Sequence, residues 1–339
     1  EGLEIISQAG TPYRKFTPYK NTWLKKLTNH DIITFQPKFT NLTSIKQLGK
    51  FVQYLSLIQI GFKNTKLWLH PGEEAASKRL AAFLKKIDMY DKHRDLPEVD
   101  GTSGLSVHLR FGTISIRSLV RAAYNRNSQG AQLWLSELIW RDFYQMILNL
   151  YPVVVEETFL PQFKQLKWPG TNSHFIAWKK GITGYPIIDA AMRHFNKTGW
   201  MHNRLRMIVA SFLVKDLLVD WRKGEAYFSR YLLDYDLAAN NGGWQWCAST
   251  GCDAQPWFRI FNPITQSKRF DFKGNFIRQV LPEVANFSNK DIHFPAATSM
   301  ETQKSSGCII GKNYPKPIVE HSVQRERILS FFNKSKTHK

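Results

Sequence analysis

Apolar residues recur at Ala76, Leu80, Phe83 and Ile87, a spacing that predicts a helix over Glu73 to Ile87. The same periodicity predicts helices over Leu133–Leu150, Tyr185–Phe195, Met201–Leu218 and Gly224–Leu233, joined by short loops. Before residue 70 the pattern is mixed. Thr11-Pro12-Tyr13 and Thr17-Pro18-Tyr19 are expected to break any early helix, and Asn29 to Ser44 is rich in turn-forming residues. Residues 1–70 therefore read as a connecting segment with short helices, and 71–335 as a helical domain. After Pro282 the chain turns polar until a last predicted helix, Val319–Phe332, followed by a basic tail at 336–339. Strand signals are few, no βαβ rhythm or internal repeat is present, and the Gly-rich dinucleotide fingerprint and the P-loop are both missing. The predicted fold class is mainly α.

Composition adds a partner. The chain of 339 residues carries a formal net charge of +20 and 11 tryptophans. Such a surplus favours a polyanion, either nucleic acid or an anionic surface. The longest apolar-rich stretch, Leu133 to Tyr151, is interrupted by Glu137, Arg141 and Asp142, so no membrane span is expected. The three cysteines (Cys247, Cys252 and Cys308) suit neither a closed disulfide framework nor a zinc knuckle, so no metal site is expected. A reducing, cytoplasmic compartment fits this cysteine usage. The start lacks both a methionine and a signal pattern, which suggests an upstream part outside this sequence.

Four stretches carry candidate chemistry. Asp234 to Trp246 gathers two carboxylates, two asparagines, a Gly-Gly pair and two tryptophans; it reads either as a ligand-contacting segment or as Asn-Gly-Gly turn chemistry leading into a core helix. In Trp200 to Met207, Asn203, Arg206 and Met207 share one helix face, forming either a partly polar pocket wall or a solvated basic edge. In Trp134 to Arg141, Glu137 shares a face with Trp140 and Arg141. It is expected to have a raised pKa unless Arg141 pairs with it; the plainer reading is a surface ion pair. Gly101-Thr-Ser-Gly-Leu-Ser106 precedes a predicted short helix and reads equally as a phosphate cradle or as helix capping.

Taken together, Gly184-Tyr-Pro-Ile-Ile-Asp189, Thr198-Gly-Trp-Met-His-Asn-Arg-Leu-Arg-Met207, Asp236-Leu-Ala-Ala-Asn-Asn-Gly-Gly-Trp-Gln-Trp246 and Phe258-Arg-Ile-Phe-Asn-Pro263 resemble the photolyase/cryptochrome family. The resemblance runs from about residue 10 to residue 335 and is nearest to microbial class I cyclobutane pyrimidine dimer photolyases. It implies an all-helical domain holding non-covalent FAD, active as FADH⁻. Tyr90, Thr102, Ser103, Leu105 and Ser106 would surround its phosphates and ribityl chain, while Glu137, Trp134, Asn203 and Arg206 would line the cavity. Asp234 would face Arg206, Asp236 would reach the imide edge of the ring, and Asn240 would sit at N5. Gly104 departs from the basic residue often found at its position.

The implied activity is an electron cycle, in which excited FADH⁻ reduces the dimer, the ring bonds break and the electron returns. Glu137, Asn203, Asn240 and Met207 are the expected catalytic residues, with Glu137 bonding the pyrimidine carbonyls and Met207 touching the dimer. Trp140 and Trp246 would face the flipped bases, and Arg94, Arg204 and Arg259 would grip the DNA backbone. Trp244, Trp221 and Trp168 would form a photoreduction chain. The expected partner is dimer-containing DNA and the expected state a monomer. Relatives carry an N-terminal α/β domain holding an antenna chromophore; no trace of that domain is seen here, so the pigment is not readable.

Three rival readings remain at this point. A signalling cryptochrome shares the fold, but plant-type members commonly have Asp where this chain has Asn240. A (6-4) photolyase is expected to show histidines near Arg206 and Met207. A plain basic nucleic-acid module would use the tryptophans as stacking platforms and leave the paired aspartates and Asn240 without a role.

Overall fold

The structure, a computed structural model, describes residues 4–35, 38–49, 52–53, 55–63 and 67–334. The chain enters through α1 (Phe16–Lys26), α2 (Asn29–Ile32) and α3 (Ile45–Leu48). The early break expected at Thr17-Pro18-Tyr19 does not occur, because these residues lie inside α1. Pro18 occupies the first turn, where a backbone N–H has no intrahelical acceptor and its loss is harmless. Phe16 and Tyr19 are thereby buried, and Tyr19 Oη and Trp23 Nε1 donate to Asp142 Oδ2 at 2.8 and 2.9 Å. Beyond α1, Phe39, Leu42, Leu57 and Phe62 are exposed, the pattern of a segment without a core of its own.

Next come α4 (Glu73–Leu84), α5 (Tyr90–His93), α6 (Ser106–Arg110), α7 (Ile116–Tyr124) and the 22-residue α8 (Gln129–Leu150). Acidic Glu73 and Glu74 sit at the start of α4, where the exposed amides favour negative charge. Ser128 caps α8 by accepting from Ala131 N at 3.2 Å. Trp134, Leu135, Ile139, Phe143 and Met146 of α8 enter a core shared with α1, α5 and α7.

A second core lies in α9 (Asn172–Lys180), α10 (Pro186–Thr198), α11 (Asn203–Ser211), α12 (Trp221–Tyr231) and α13 (Leu237–Ala248). Proline at the first position of α10 and side-chain caps from His202, Asp220 and Asp236 set where these helices begin. The helix expected across Met201–Leu218 is α only to Ser211 and continues as a π-turn, Phe212–Asp216. In that wider turn two consecutive charged residues, Lys215 and Asp216, are both fully buried. Lys215 Nζ donates to Ser249 Oγ at 2.8 Å and Trp257 O at 3.0 Å, and Asp216 pairs with His321 at 2.5 Å.

The turn reading of Asn240 to Gly243 also fails. These residues are helical, inside α13. A Cβ at Gly242 would meet the Tyr144 ring at 2.2 Å, so glycine there serves close packing of α13 on α8.

The remaining helices are α14 (Pro263–Phe270), α15 (Asn275–Val280), α16 (Met300–Ser305) and α17 (His321–Lys334). The expected basic tail lies outside the described residues. Among the described residues the only strand-like pairings are isolated bridges, Ile6 with Pro12 and Ile310 with Tyr314, so the fold is mainly α. No helix among them is long and apolar enough to cross a membrane.

Candidate functional site

Two helices, α11 and α13, and the loop before α13 bring the polar and charged residues of the sequence motifs together against the second core. From α11 come Asn203, Arg206 and Met207, on one face as their spacing predicts; from α13 come Asn240 and Trp244, with Asp236 as its cap. Asp234 arrives on the loop between α12 and α13. All seven line one cavity of about 150 Å³, whose apolar walls include Ala210, Phe228 and Leu232.

Each polar wall residue is held by a neighbour. Arg206 Nη2 donates to Asp234 Oδ2 at 2.7 Å and Nε to Met201 O at 2.8 Å. Asp236 caps α13 through Ala239 N at 3.0 Å and also accepts from Gln145 Nε2 at 2.9 and 3.0 Å. Asn240 Nδ2 donates to Glu225 Oε1 at 2.8 Å, which leaves the amide oxygen as its free end. Burial raises the Glu225 pKa, and the bond from Asn240 opposes that rise. Asn203 Nδ2 lies 4.0 Å from Met207 Sδ. Gly224 makes room for the Trp244 indole, which a Cβ there would meet at 2.2 Å.

Glu137 lies outside this cavity lining, and its partner is not Arg141. Arg94 Nη1 donates to Glu137 Oε1 at 2.6 Å, whereas Arg141 turns to Asp236 at 3.7 Å. Arg94 also stands 5.4 Å from the Tyr90 ring centre. Arg204 makes a two-pronged contact with Asp95 at 3.2 and 2.9 Å and stacks on Phe270. Two of the three arginines expected at DNA are thus already ion-paired, while Arg259 is exposed.

Trp140 stacks face to face on Phe16 at 3.7 Å, which covers one side of its ring, and Trp246 is half-buried against the second core. Trp134 is buried beside Phe83, and Tyr90 and Leu105 are buried nearby. Trp221 is fully buried, and Trp168 packs on Phe331 and Phe332 of α17.

The 101–106 turn carries Thr102, Ser103, Leu105 and Ser106 ahead of α6, and Ser106 Oγ accepts from Trp200 Nε1 at 3.4 Å. At Gly104, φ is +62°, and a Cβ would meet the Arg79 guanidinium at 2.6 Å. Arg79 binds Ser103 O at 2.8 Å and Asp100 at 2.8 Å. A cation from α4 therefore stands over the position where the motif lacks its basic residue.

Sequence reasoning missed the residues that hold the site: Gln145, Glu225, Asp95, Arg79 and His202. Gln145 was findable, being two helical turns from Glu137 on the same face of α8. Glu225, Asp95 and Arg79 act across the fold and leave no local signal, whereas His202 acts locally as the cap of α11. Burial pushes His202 down to about 4, so its ring is neutral, and its Nδ1 accepts from Arg204 N at 3.2 Å. Its Nε2 is buried without a partner.

Asp234 offers a test of whether a cofactor fits. Its Oδ1 is buried and unpartnered, beside an Arg206 that has already taken the other oxygen. Such an orphaned acceptor is destabilising by about 1–3 kcal/mol until a donor arrives. A flat ring bearing N–H groups at its edge supplies that donor and fills the apolar walls. The residues present fit a flavin. No cluster of metal-ligating side chains occurs among the described residues.

Residues 134–334 match the family described as the FAD binding domain of DNA photolyase. The chain is 43% identical over 344 residues to a deoxyribodipyrimidine photo-lyase of Alkalihalophilus pseudofirmus, covering 97% of this chain and 69% of that relative. It superposes on a class III photolyase from Agrobacterium tumefaciens with a TM-score of 0.88 and 35% identity, over 99% of this chain and 71% of the other. A Synechocystis cryptochrome gives a TM-score of 0.80 and 28% identity, over 98% and 69% of the two chains. The cap-defined helices, the cavity lined by Arg206, Asp234, Asp236 and Asn240, and these matches lead to one conclusion: the chain belongs to the DNA photolyase family of FAD-dependent deoxyribodipyrimidine photo-lyases.

Proposed function

We propose that this chain repairs cyclobutane pyrimidine dimers in DNA by light-driven electron transfer. When bound, reduced FAD would supply the light-driven one-electron chemistry. The protein sets distance, orientation and electrostatics. The observation that carries the reading is the convergence of Arg206–Asp234, Asp236 and Asn240 on one cavity.

The remaining steps belong to side chains. Asp234 Oδ1 and Asp236 accept N–H groups of the ring, and Arg206 balances their charge. The free Asn240 oxygen would accept a hydrogen bond from a ring N–H of the reduced cofactor, with Glu225 fixing which end of the amide faces inward. Glu137 has one oxygen held by Arg94, and its other oxygen accepts a hydrogen bond from the ring N–H of a flipped pyrimidine, a preorganised contact that orients the base. Met207 and Trp246 provide apolar contact to the two bases. Photolyases extrude their target bases from the duplex, and the unpairing costs about a few kcal/mol.

A net charge of +20 draws the chain to DNA, and exposed Arg259 is the backbone contact left without a competing carboxylate. Tyr90, Thr102, Ser103, Leu105 and Ser106 hold the phosphate and ribityl end, with Arg79 over Gly104 as the local cation. Trp244, Trp221 and Trp168 return the oxidised cofactor to its active state. The enzyme acts as a cytoplasmic monomer.

Blue-light illumination of a dimer-containing oligonucleotide with the FAD-loaded chain tests the proposal. Restored thymines measured by chromatography support it. A flavin-loaded protein that binds the oligonucleotide and restores none is a photoreceptor, as the cryptochrome likeness would have it.

A further inference from the structure

Trp244 lines the flavin cavity, and the aromatic rings it touches do not lead along the expected photoreduction chain. Its ring contacts are Phe228 at 5.1 Å and Trp178 at 6.0 Å between centroids. Among the described residues no ring contact joins Trp244 to Trp221, or Trp221 to Trp168. Trp178 is fully buried and continues outward: its ring lies 5.9 Å from Tyr227, whose ring lies 4.8 Å from Tyr231. Tyr231 is 52% exposed. An unbroken run of ring contacts thus joins the cavity wall to solvent.

We propose that Trp244–Trp178–Tyr227–Tyr231 is a second electron path into the flavin cavity. It rests on the reading of Trp244 as electron donor to oxidised flavin. Hydrogen bonding favours Trp178 over Trp221 as the next carrier. Trp178 Nε1 donates to Val209 O at 3.0 Å, so a carbonyl dipole steadies positive charge on the indole without taking its proton. The Trp221 Nε1 is buried with no acceptor, so nothing steadies charge there.

The outer half of the path selects its end point. Lys179 Nζ stands 5.7 Å from the Tyr227 ring centre and opposes a positive ring, and the Tyr227 hydroxyl donates at 2.7 Å to Asn196 Oδ1, a weak proton acceptor. Tyr227 therefore passes the vacancy on. Tyr231, open to water, can lose its phenolic proton as it loses the electron.

The balance is one electron per photon. Trp244 gives one electron to photoexcited oxidised flavin, Trp178 refills Trp244, and Tyr231 refills Trp178 through Tyr227. The Tyr231 phenolic proton goes to water. A thiol added to the buffer then returns one electron and one proton to the Tyr231 oxyl radical and is itself oxidised.

The test uses the FAD-loaded chain carrying Trp221→Phe, which closes the expected chain. Electron paramagnetic resonance after a light pulse, with ring-deuterated tyrosine incorporated, reads the radical directly. The expected result is a tyrosyl signal that narrows on deuteration and disappears when Trp178→Phe is added. Adding Tyr227→Phe and Tyr231→Phe together abolishes it as well, and these half-buried and exposed positions keep the test valid if the buried Trp178→Phe change prevents folding. A Trp244 radical without any tyrosyl signal in Trp221→Phe overturns the path, as does a tyrosyl signal that survives loss of Trp178. A signal that survives Trp244→Phe also overturns it, and there the failed premise is Trp244 as donor.

Discussion

Glu225 Oε1 accepts from Asn240 Nδ2 at 2.8 Å, so a partly buried acid on α12 determines which end of an α13 amide faces the cavity. Glu225→Gln offers a donor as readily as an acceptor and lets the amide turn. The variant is expected to retain FAD while its reduced form reoxidises in air faster than wild type. Stopped-flow absorbance checks this, and an unchanged rate removes Glu225 from its orienting role.

Asp234→Ala leaves the Arg206 guanidinium without its carboxylate in a largely enclosed cavity. Breaking one side of such a pair is destabilising by about 3 kcal/mol. Urea unfolding of the flavin-free protein measures it without interference from cofactor binding. Asp234→Asn, which keeps an acceptor, is expected to lose less.

Glu137→Ala is expected to lower the dimer repair rate about tenfold, equivalent to about 1.4 kcal/mol of lost stabilisation. FAD occupancy, read from absorbance, should be unchanged, because Glu137 lies outside the cavity lining. Loss of FAD together with activity would mark a structural rather than a substrate role.

Arg259→Ala is expected to weaken binding to damaged and undamaged DNA alike and to reduce the salt slope by about one unit. Fluorescence anisotropy across a salt series reads both quantities. Arg94 and Arg204, already paired with Glu137 and Asp95, should give smaller slope changes.

Lys215 gives a pH signature. Burial pushes its pKa from 10.5 down to about 7, so the native state holds it neutral where the unfolded chain holds it charged. The unfolded state then binds more protons, and this contribution to stability grows as pH rises from about 7 and fades as pH falls through it. Relative to Lys215→Met, wild type is expected to gain stability between about pH 7 and pH 10. Parallel urea midpoints for the two proteins decide it.

Much of the fold was legible in the apolar spacing. The long α8, the shared face of Asn203, Arg206 and Met207, and the small number of strands all follow from a period of 3.6 and from local caps, which depend on neighbours in sequence. The misreadings have local causes too. Pro18 reads as a breaker, yet a first turn tolerates it, and Asn240–Gly243 reads as a turn, yet packing on Tyr144 holds it helical.

By itself the sequence determined the helical class, the basic charge, the family motifs and the shared face of Asn203, Arg206 and Met207, because these depend on residue type and short-range spacing. Only the tertiary structure decided who holds whom: Arg94 rather than Arg141 on Glu137, Glu225 on Asn240, Arg79 over Gly104, and Trp178 beside Trp244. Those partners come from different helices. Hydrogen bonds, ion pairs and ring contacts require atoms within a few ångströms, and only the packed chain brings residues so far apart in sequence to that distance.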